Sequence, residues 1–286
     1  MKITIAGGDN RFKNLKNFLK NKGFFVETSG LFENDNGNYK NSDVIILPVP
    51  TTKDKRTVFT PLTDKKIYLD EICNNAKDNA LILTCNYSVP QKNFINYGAL
   101  DSYALLNAVP TAEGAISLAI QNTDFTLWNS KILIIGYGRI GKILADRLKG
   151  FNAKITVSAR KESDFALLEA LGFDYINTEL LKNNSLDYDI IFNTVDAEVL
   201  FPDNFKIKKP YLIIDLSSKG GINKDSEFKE NIKYIKYSGV PNKTASKTAS
   251  EILNNTILKI INSYKQGEEN DWFKYRVCVL RIFLYR

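Results

Sequence analysis

The chain has 286 residues, 44% hydrophobic and 25% charged, which is enough for two domains each to bury a core and excludes a disordered chain. Its net charge of +7 comes from Lys and Arg scattered along helix faces rather than from a basic block, so a solvated surface is expected and nucleic-acid binding is not. Histidine is absent, which removes the commonest general acid–base group and metal ligand and leaves Lys, Asp, Glu, Tyr, Cys or Ser to move any proton.

Short apolar runs at Lys2 to Ala6, Phe24 to Thr28, Val44 to Val49, Ala80 to Cys85 and Tyr103 to Leu106 predict buried strands. They alternate with helical stretches such as Asn14 to Lys22, closed by Gly23. That alternation implies a parallel, doubly wound α/β domain over 1–110. Pro110 disfavours helix immediately before it, and Thr111 can cap a bridging helix running to about Asn122. A second series follows, with strands near Lys131 to Ile135, Lys154 to Val157, Tyr175 to Asn177, Asp189 to Val195, Tyr211 to Leu216 and Ile232 to Tyr237. Helices at Arg139 to Lys149 and Asp164 to Leu171 are closed by Gly150 and Gly172. Residues 111–243 therefore read as the bridging helix and a six-stranded dinucleotide-binding domain. A last helix, about 244–265, is expected to return to the first domain, with a substrate cleft between the two domains. Residues 267–286, rich in aromatics and arginine, lack clear helical periodicity.

Cys73, Cys85 and Cys278 share no metal-type spacing, so neither a zinc site nor a disulfide is expected, and an odd number of thiols suits a reducing compartment. No apolar run is expected to reach the eighteen or so residues that span a bilayer, so the chain reads as a cytoplasmic protein without a membrane segment.

The stretch Gly136-Tyr137-Gly138-Arg139-Ile140-Gly141 directly follows the apolar run Ile132 to Ile135 and opens a helix. A lone G-x-G-x-x-G is weak evidence, but between strand and helix it has a mechanism. Gly136 makes the tight turn, Gly138 lets backbone approach a pyrophosphate, and Gly141 lets helix pack on strand, while the helix N-terminus offers N–H groups to phosphate. NAD-selective sites carry Asp or Glu about twenty residues further on; here that place holds Ser158-Ala159-Arg160-Lys161. A hydroxyl and cations suit a 2′-phosphate, so NADP(H) is the expected cofactor, with Ser158 and Arg160 as its clamp and Lys161 beside them. Asn193, Thr194, Val195, Asp215 and Ser217, at the carboxyl ends of later strands, complete the expected cofactor-binding set.

In the first domain Gly7-Gly8-Asp9-Asn10-Arg11 follows the opening strand. Its N–H groups and Arg11 suit a small anion, or else Asp9 caps the helix and Arg11 is solvated. At the crossing lie Asn107, Thr111 and Glu113; Glu113 either complements the helix dipole or faces substrate.

These residues together resemble the dipicolinate synthase A-subunit family of spore-forming bacteria. The resemblance rests on Ala6 to Arg11, Ile45 to Val49, Asn107 to Gly114 running on into Leu118 to Asp124, the glycine turn, Asp215 to Gly221, and Gly239-Val240-Pro241 with Lys247-Thr248-Ala249. It extends to about residue 265 and leaves the tail unmatched. It implies oxidation of a dihydro- or hydroxytetrahydro-dipicolinate from the lysine pathway during sporulation, and a flavoprotein-like second subunit; a homo-oligomer is expected besides. The two carboxylates of such a substrate need cradles. Arg11 on one side and Lys219 or Lys247 on the other are the candidates, with Asp9, Asn107 and Thr111 as further substrate-binding residues, Lys247 or Asp215 as proton acceptor and Glu113 as a further catalytic candidate. A 2-hydroxyacid dehydrogenase would need the missing histidine; a shikimate-dehydrogenase-like NADP enzyme, or a non-catalytic nucleotide-sensing subunit, are the alternatives.

Overall fold

The computed structural model describes residues 1–88, 93–183, 186–201, 211–218, 220–221, 232–237 and 245–266. The chain forms two compact units, one from Met1–Ala104 with the chain from Ser246 onward, the other from Leu105–Ala245.

In the first unit, strands β1 (Lys2–Ala6), β2 (Phe25–Ser29), β3 (Val44–Ile46), β4 (Leu81–Thr84) and β5 (Asn93–Asn96) pair in the order β2-β1-β3-β4-β5, every pairing parallel. Ile3, Ile5, Val44, Ile46, Leu81 and Leu83 turn one face of this sheet into a single core. That core is closed by α1 (Asn10–Asn21), through Phe12, Leu15 and Leu19, and by the C-terminal helix α6 (Ser246–Gln266), through Leu253, Ile257, Ile260 and Ile261. Asn14 Nδ2 donates to Ser250 Oγ at 3.0 Å between these two helices. The short helix α2 (Leu69–Asn75) covers the other face with Leu69 and Ile72.

The second unit is a six-stranded parallel sheet, β6 (Lys131–Ile135), β7 (Lys154–Ala159), β8 (Asp174–Asn177), β9 (Ile190–Asn193), β10 (Tyr211–Asp215) and β11 (Ile232–Lys236), in the order β11-β10-β9-β6-β7-β8. With α4 (Arg139–Lys149) and α5 (Glu162–Ala170) this is the doubly wound arrangement expected of a dinucleotide domain, in which the strand order reverses between β6 and β9.

Two expectations need correcting. Tyr103 to Leu106 is not a strand, and no helix starts at Thr111. A single helix, α3, runs Asp101–Gln121 with Pro110 inside it. Proline removes one backbone donor, and here Thr111 Oγ1 donates to the Asn107 carbonyl at 2.8 Å within the same turn. Packing outweighs the local penalty, because Ala108, Ala112, Ala115, Ile116 and Ala119 are buried. The same composition makes α3 long and apolar enough to cross a membrane, contrary to the expectation that no run reaches that length; half of its apolar window is buried within the protein. Strand β5 gives little signal in the sequence, because Asn93-Phe94-Ile95-Asn96 is a short edge strand with only Ile95 buried.

Candidate active site in the second unit

Strand β6 ends at Ile135, and Gly136 follows with φ +97°, a region that costs an L side chain heavily. A Cβ there would also strike Val195 at 2.5 Å, and one on Gly141 would run into the Gly136 carbonyl oxygen. Helix α4 therefore starts as close to the strand as backbone allows. Gly138, at the helix N-cap position, has open space where a Cβ would go. The residues fit a pyrophosphate on the helix N-terminus.

A cavity of about 640 Å³ opens over this turn. Gly136, Tyr137, Gly138, Arg160, Lys161, Thr194 and Val195 line it, so seven of the expected cofactor residues come together. Arg139 is exposed on the first turn of α4, while Ile140 is half-buried and packs on the core. Thr194 Oγ1 donates to the Ile135 carbonyl at 2.8 Å, which ties the loop after β9 to the glycine turn.

Ser158 stands differently from the expectation. It is fully buried, its Oγ accepts from the Gly136 amide at 3.3 Å and bonds Thr178 Oγ1 at 3.0 Å, so it buttresses the glycine turn and offers no hydroxyl to a 2′-phosphate. Exposed Arg160 and Lys161 remain at that end of the pocket. Asn193 is also buried, donating from Nδ2 to the Val195 carbonyl at 3.0 Å and to Asp215 at 2.9 Å. Ser217 is buried against the same carboxylate.

Asp215 is the largest correction among the catalytic candidates. Burial alone would raise its pKa, but Ser217, Tyr234, the Gly221 amide and Asn193 all donate to the carboxylate and hold it down at about 2. An anion so saturated with donors is a poor proton acceptor at neutral pH. Glu113 is exposed and lies 3.5 Å from Arg147 on α4, an ion pair on the surface of the second unit. Asn107 is half-buried and Thr111 buried on α3. Lys219, Ser238 to Pro241 and residues 267–286 lie outside the described residues.

In the first unit, Asp9 caps α1 by accepting from the Arg11 amide at 3.0 Å. Arg11 is not solvated: it is buried, and its Nε and Nη2 reach the Asp9 oxygens at 3.0 and 2.8 Å, with Nη2 also 3.4 Å from the Val49 carbonyl. Burial works against the charge on the guanidinium, but the hydrogen bonds and charge of Asp9 outweigh it and raise the Arg11 pKa. Neither reading of this turn holds unchanged, since the cap forms and the arginine joins it in a bidentate pair. Lys247 is exposed in the first turn of α6.

Several further residues line the pocket without belonging to a sequence motif, among them Thr178, Lys182, Asp164 and Glu179. These four follow the carboxyl ends of β7 and β8, where an open α/β sheet binds its ligands, and that positional rule is the signal that could have found them.

The first unit matches, over residues 2–106, the family described as the N-terminal domain of the dipicolinate synthase A-subunit. The dipicolinate synthase A-subunit of Bacillus subtilis (strain 168) is 30% identical over 243 residues, covering 81% of each chain. The chain belongs to the dipicolinate synthase A-subunit family. The solved family structure from Bacillus halodurans superposes with a TM-score of 0.81 at 26% identity, over 91% of this chain and 97% of its own. Residues 112–196 match the D-isomer specific 2-hydroxyacid dehydrogenase, NAD binding domain. A Salmonella D-lactate dehydrogenase shares the fold at 15% identity and a TM-score of 0.63, over 95% of this chain and 99% of that one. The protein is thus an oxidoreductase with a nicotinamide-dinucleotide-binding domain, built on a dehydrogenase fold but without histidine.

Proposed function

We propose that the chain is the nicotinamide-dependent subunit of a dipicolinate synthase, oxidising a dihydro- or hydroxytetrahydro-dipicolinate from the lysine pathway to dipicolinate with NADP. The observation that carries this is the glycine turn and its 640 Å³ cavity in a chain of this family. A bound nucleotide would supply the hydride acceptor, and a base of the chain would take the accompanying ring proton; the dihydro form then aromatises by loss of H⁻ and H⁺, and the hydroxytetrahydro form by loss of water as well. With Asp215 held as an anchored anion, Lys247 is the remaining proton acceptor of the two candidates. Arg11, with Asn107, Thr111 and Lys219, supplies the proposed carboxylate contacts, and Asp9 orients the Arg11 guanidinium.

NADP preference is supported by Arg160 and Lys161 at the end of β7, where no carboxylate stands to repel a 2′-phosphate. Four acids, Asp164, Glu179, Asp196 and Glu198, line the same pocket further along, so the preference rests on Arg160 and Lys161 outweighing them at the 2′-phosphate end. A flavoprotein-like second subunit, a homo-oligomeric assembly, and action in the mother-cell cytoplasm during sporulation complete the proposal.

The test is an assay of the purified protein, alone and with the second subunit, for dipicolinate absorbance from the lysine-pathway intermediate plus NADP. Product with concurrent NADPH formation is expected. No product from either sample, with turnover of shikimate instead, would overturn it; nucleotide binding without any turnover would make the chain a sensor.

A further inference from the structure

At the carboxyl edge of the second sheet, the fully buried Asp215 carboxylate organises the turn that follows β10. Its Oδ1 accepts from the Ser217 amide at 3.0 Å, the Ser217 hydroxyl at 2.6 Å and Asn193 at 2.9 Å. Its Oδ2 accepts from the Gly221 amide at 2.9 Å, the Tyr234 hydroxyl at 2.7 Å and Lys236 Nζ at 3.2 Å. Lys236 reaches on to Ser217, donating to its carbonyl and to its Oγ. Both ends of the turn are thus pinned to one anion.

From this turn two tethers reach the wall of the nucleotide cavity. Ser218, itself exposed, donates from its amide to Asp196 Oδ1 at 2.6 Å and lies with its hydroxyl 2.9 Å from both Asp196 oxygens. The Gly221 carbonyl accepts from the Val199 amide at 3.1 Å. Asp196 and Val199 both line the cavity. A wall that had to be ordered during binding would subtract from affinity, whereas one held beforehand does not.

We propose that Asp215 and Ser218 are positioning residues for nucleotide binding: Asp215 sets the turn after β10, and Ser218 and Gly221 carry that fixed position to Asp196 and Val199 on the cavity wall. The proposal rests on the cavity being the nicotinamide-nucleotide site.

The experiment compares the wild-type chain with Ser218→Ala, Ser218→Thr and Asp215→Asn. NADPH and NADH affinities are measured by fluorescence titration, and amide hydrogen exchange at Val199 and Leu200 is followed without nucleotide. Ser218→Ala, at an exposed position, should leave the melting temperature unchanged yet raise the nucleotide Kd by about three- to tenfold. Ser218→Thr, which keeps the hydroxyl, should restore it, a rescue that general loss of stability would not produce. Asp215→Asn should accelerate Val199 and Leu200 exchange and weaken binding in the same direction. Wild-type affinity in folded Ser218→Ala and Asp215→Asn would overturn the positioning role, as would unchanged exchange at Val199 in folded Asp215→Asn. A wild-type chain that bound neither nucleotide would instead refute the cavity's assignment, and with it the role built on that assignment.

Discussion

At Asp215 a folded-state pKa of about 2 lies below the ordinary aspartate value, so the group stabilises the fold where it is ionised in both states. The contribution is fully present above about pH 4 and is lost as pH falls through about 2; a shift of this size corresponds to about 2 kcal/mol. Denaturant unfolding of the wild type and of Asp215→Asn should therefore diverge at pH 7 and converge towards pH 2, and a gap independent of pH would show that the carboxylate is not the source. Arg160 bears on the choice of cofactor. Replacing it with Asp places a negative charge where a 2′-phosphate would sit, so the NADPH Kd should rise about tenfold or more with little change for NADH. An unchanged NADPH/NADH ratio in fluorescence titrations would remove Arg160 from the proposed clamp. Ser158 would not report on that clamp, since its hydroxyl is committed to Gly136 and Thr178.

The strand–turn–helix element β6-α4 leaves no room at its tightest point. A methyl group on Gly141 would meet the Gly136 carbonyl oxygen, and backbone on both sides of the contact cannot yield as a long side chain could. Gly141→Ala should push α4 off the sheet, costing about 1–3 kcal/mol and abolishing nucleotide binding, as read by thermal unfolding and by NADPH fluorescence. Wild-type binding in that variant would show that the turn does not seat the nucleotide. This element could be read from its residues because strand, glycine spacing and helix are all local. Helix α3 could not, since Pro110 argues locally for a boundary. Only the burial of Ala108, Ala112, Ala115 and Ile116 along the helix shows why it continues.

Each unit carries its own core, and the first depends on a helix from the far end of the chain. Ile257 on α6 is wholly buried among Leu253, Ile260 and Ile261 and the apolar face of the first sheet. Ile257→Ala should cost about 2–5 kcal/mol in that unit alone. Calorimetry is expected to show one transition lowered and a second retained, and NADPH at about a hundred times its Kd should raise the retained one by about 2.7 kcal/mol. A single transition, lowered as a whole, would show that the units unfold together.

Alternating apolar runs, the glycine turn and the missing histidines are written in the residues themselves, because each acts through neighbours a few positions away or through bare composition. They reach as far as two parallel sheets, a nucleotide site and chemistry without imidazole. The roles of individual polar residues depended instead on partners from distant positions. Ser158 meets Thr178 twenty residues on, and Asp215 gathers Asn193, Tyr234 and Lys236 from two neighbouring strands. Asp9 turns Arg11 from a free cation into half of a buried pair. A carboxylate or hydroxyl looks equally fit for catalysis or for anchoring until folding decides how many donors surround it and whether water reaches it.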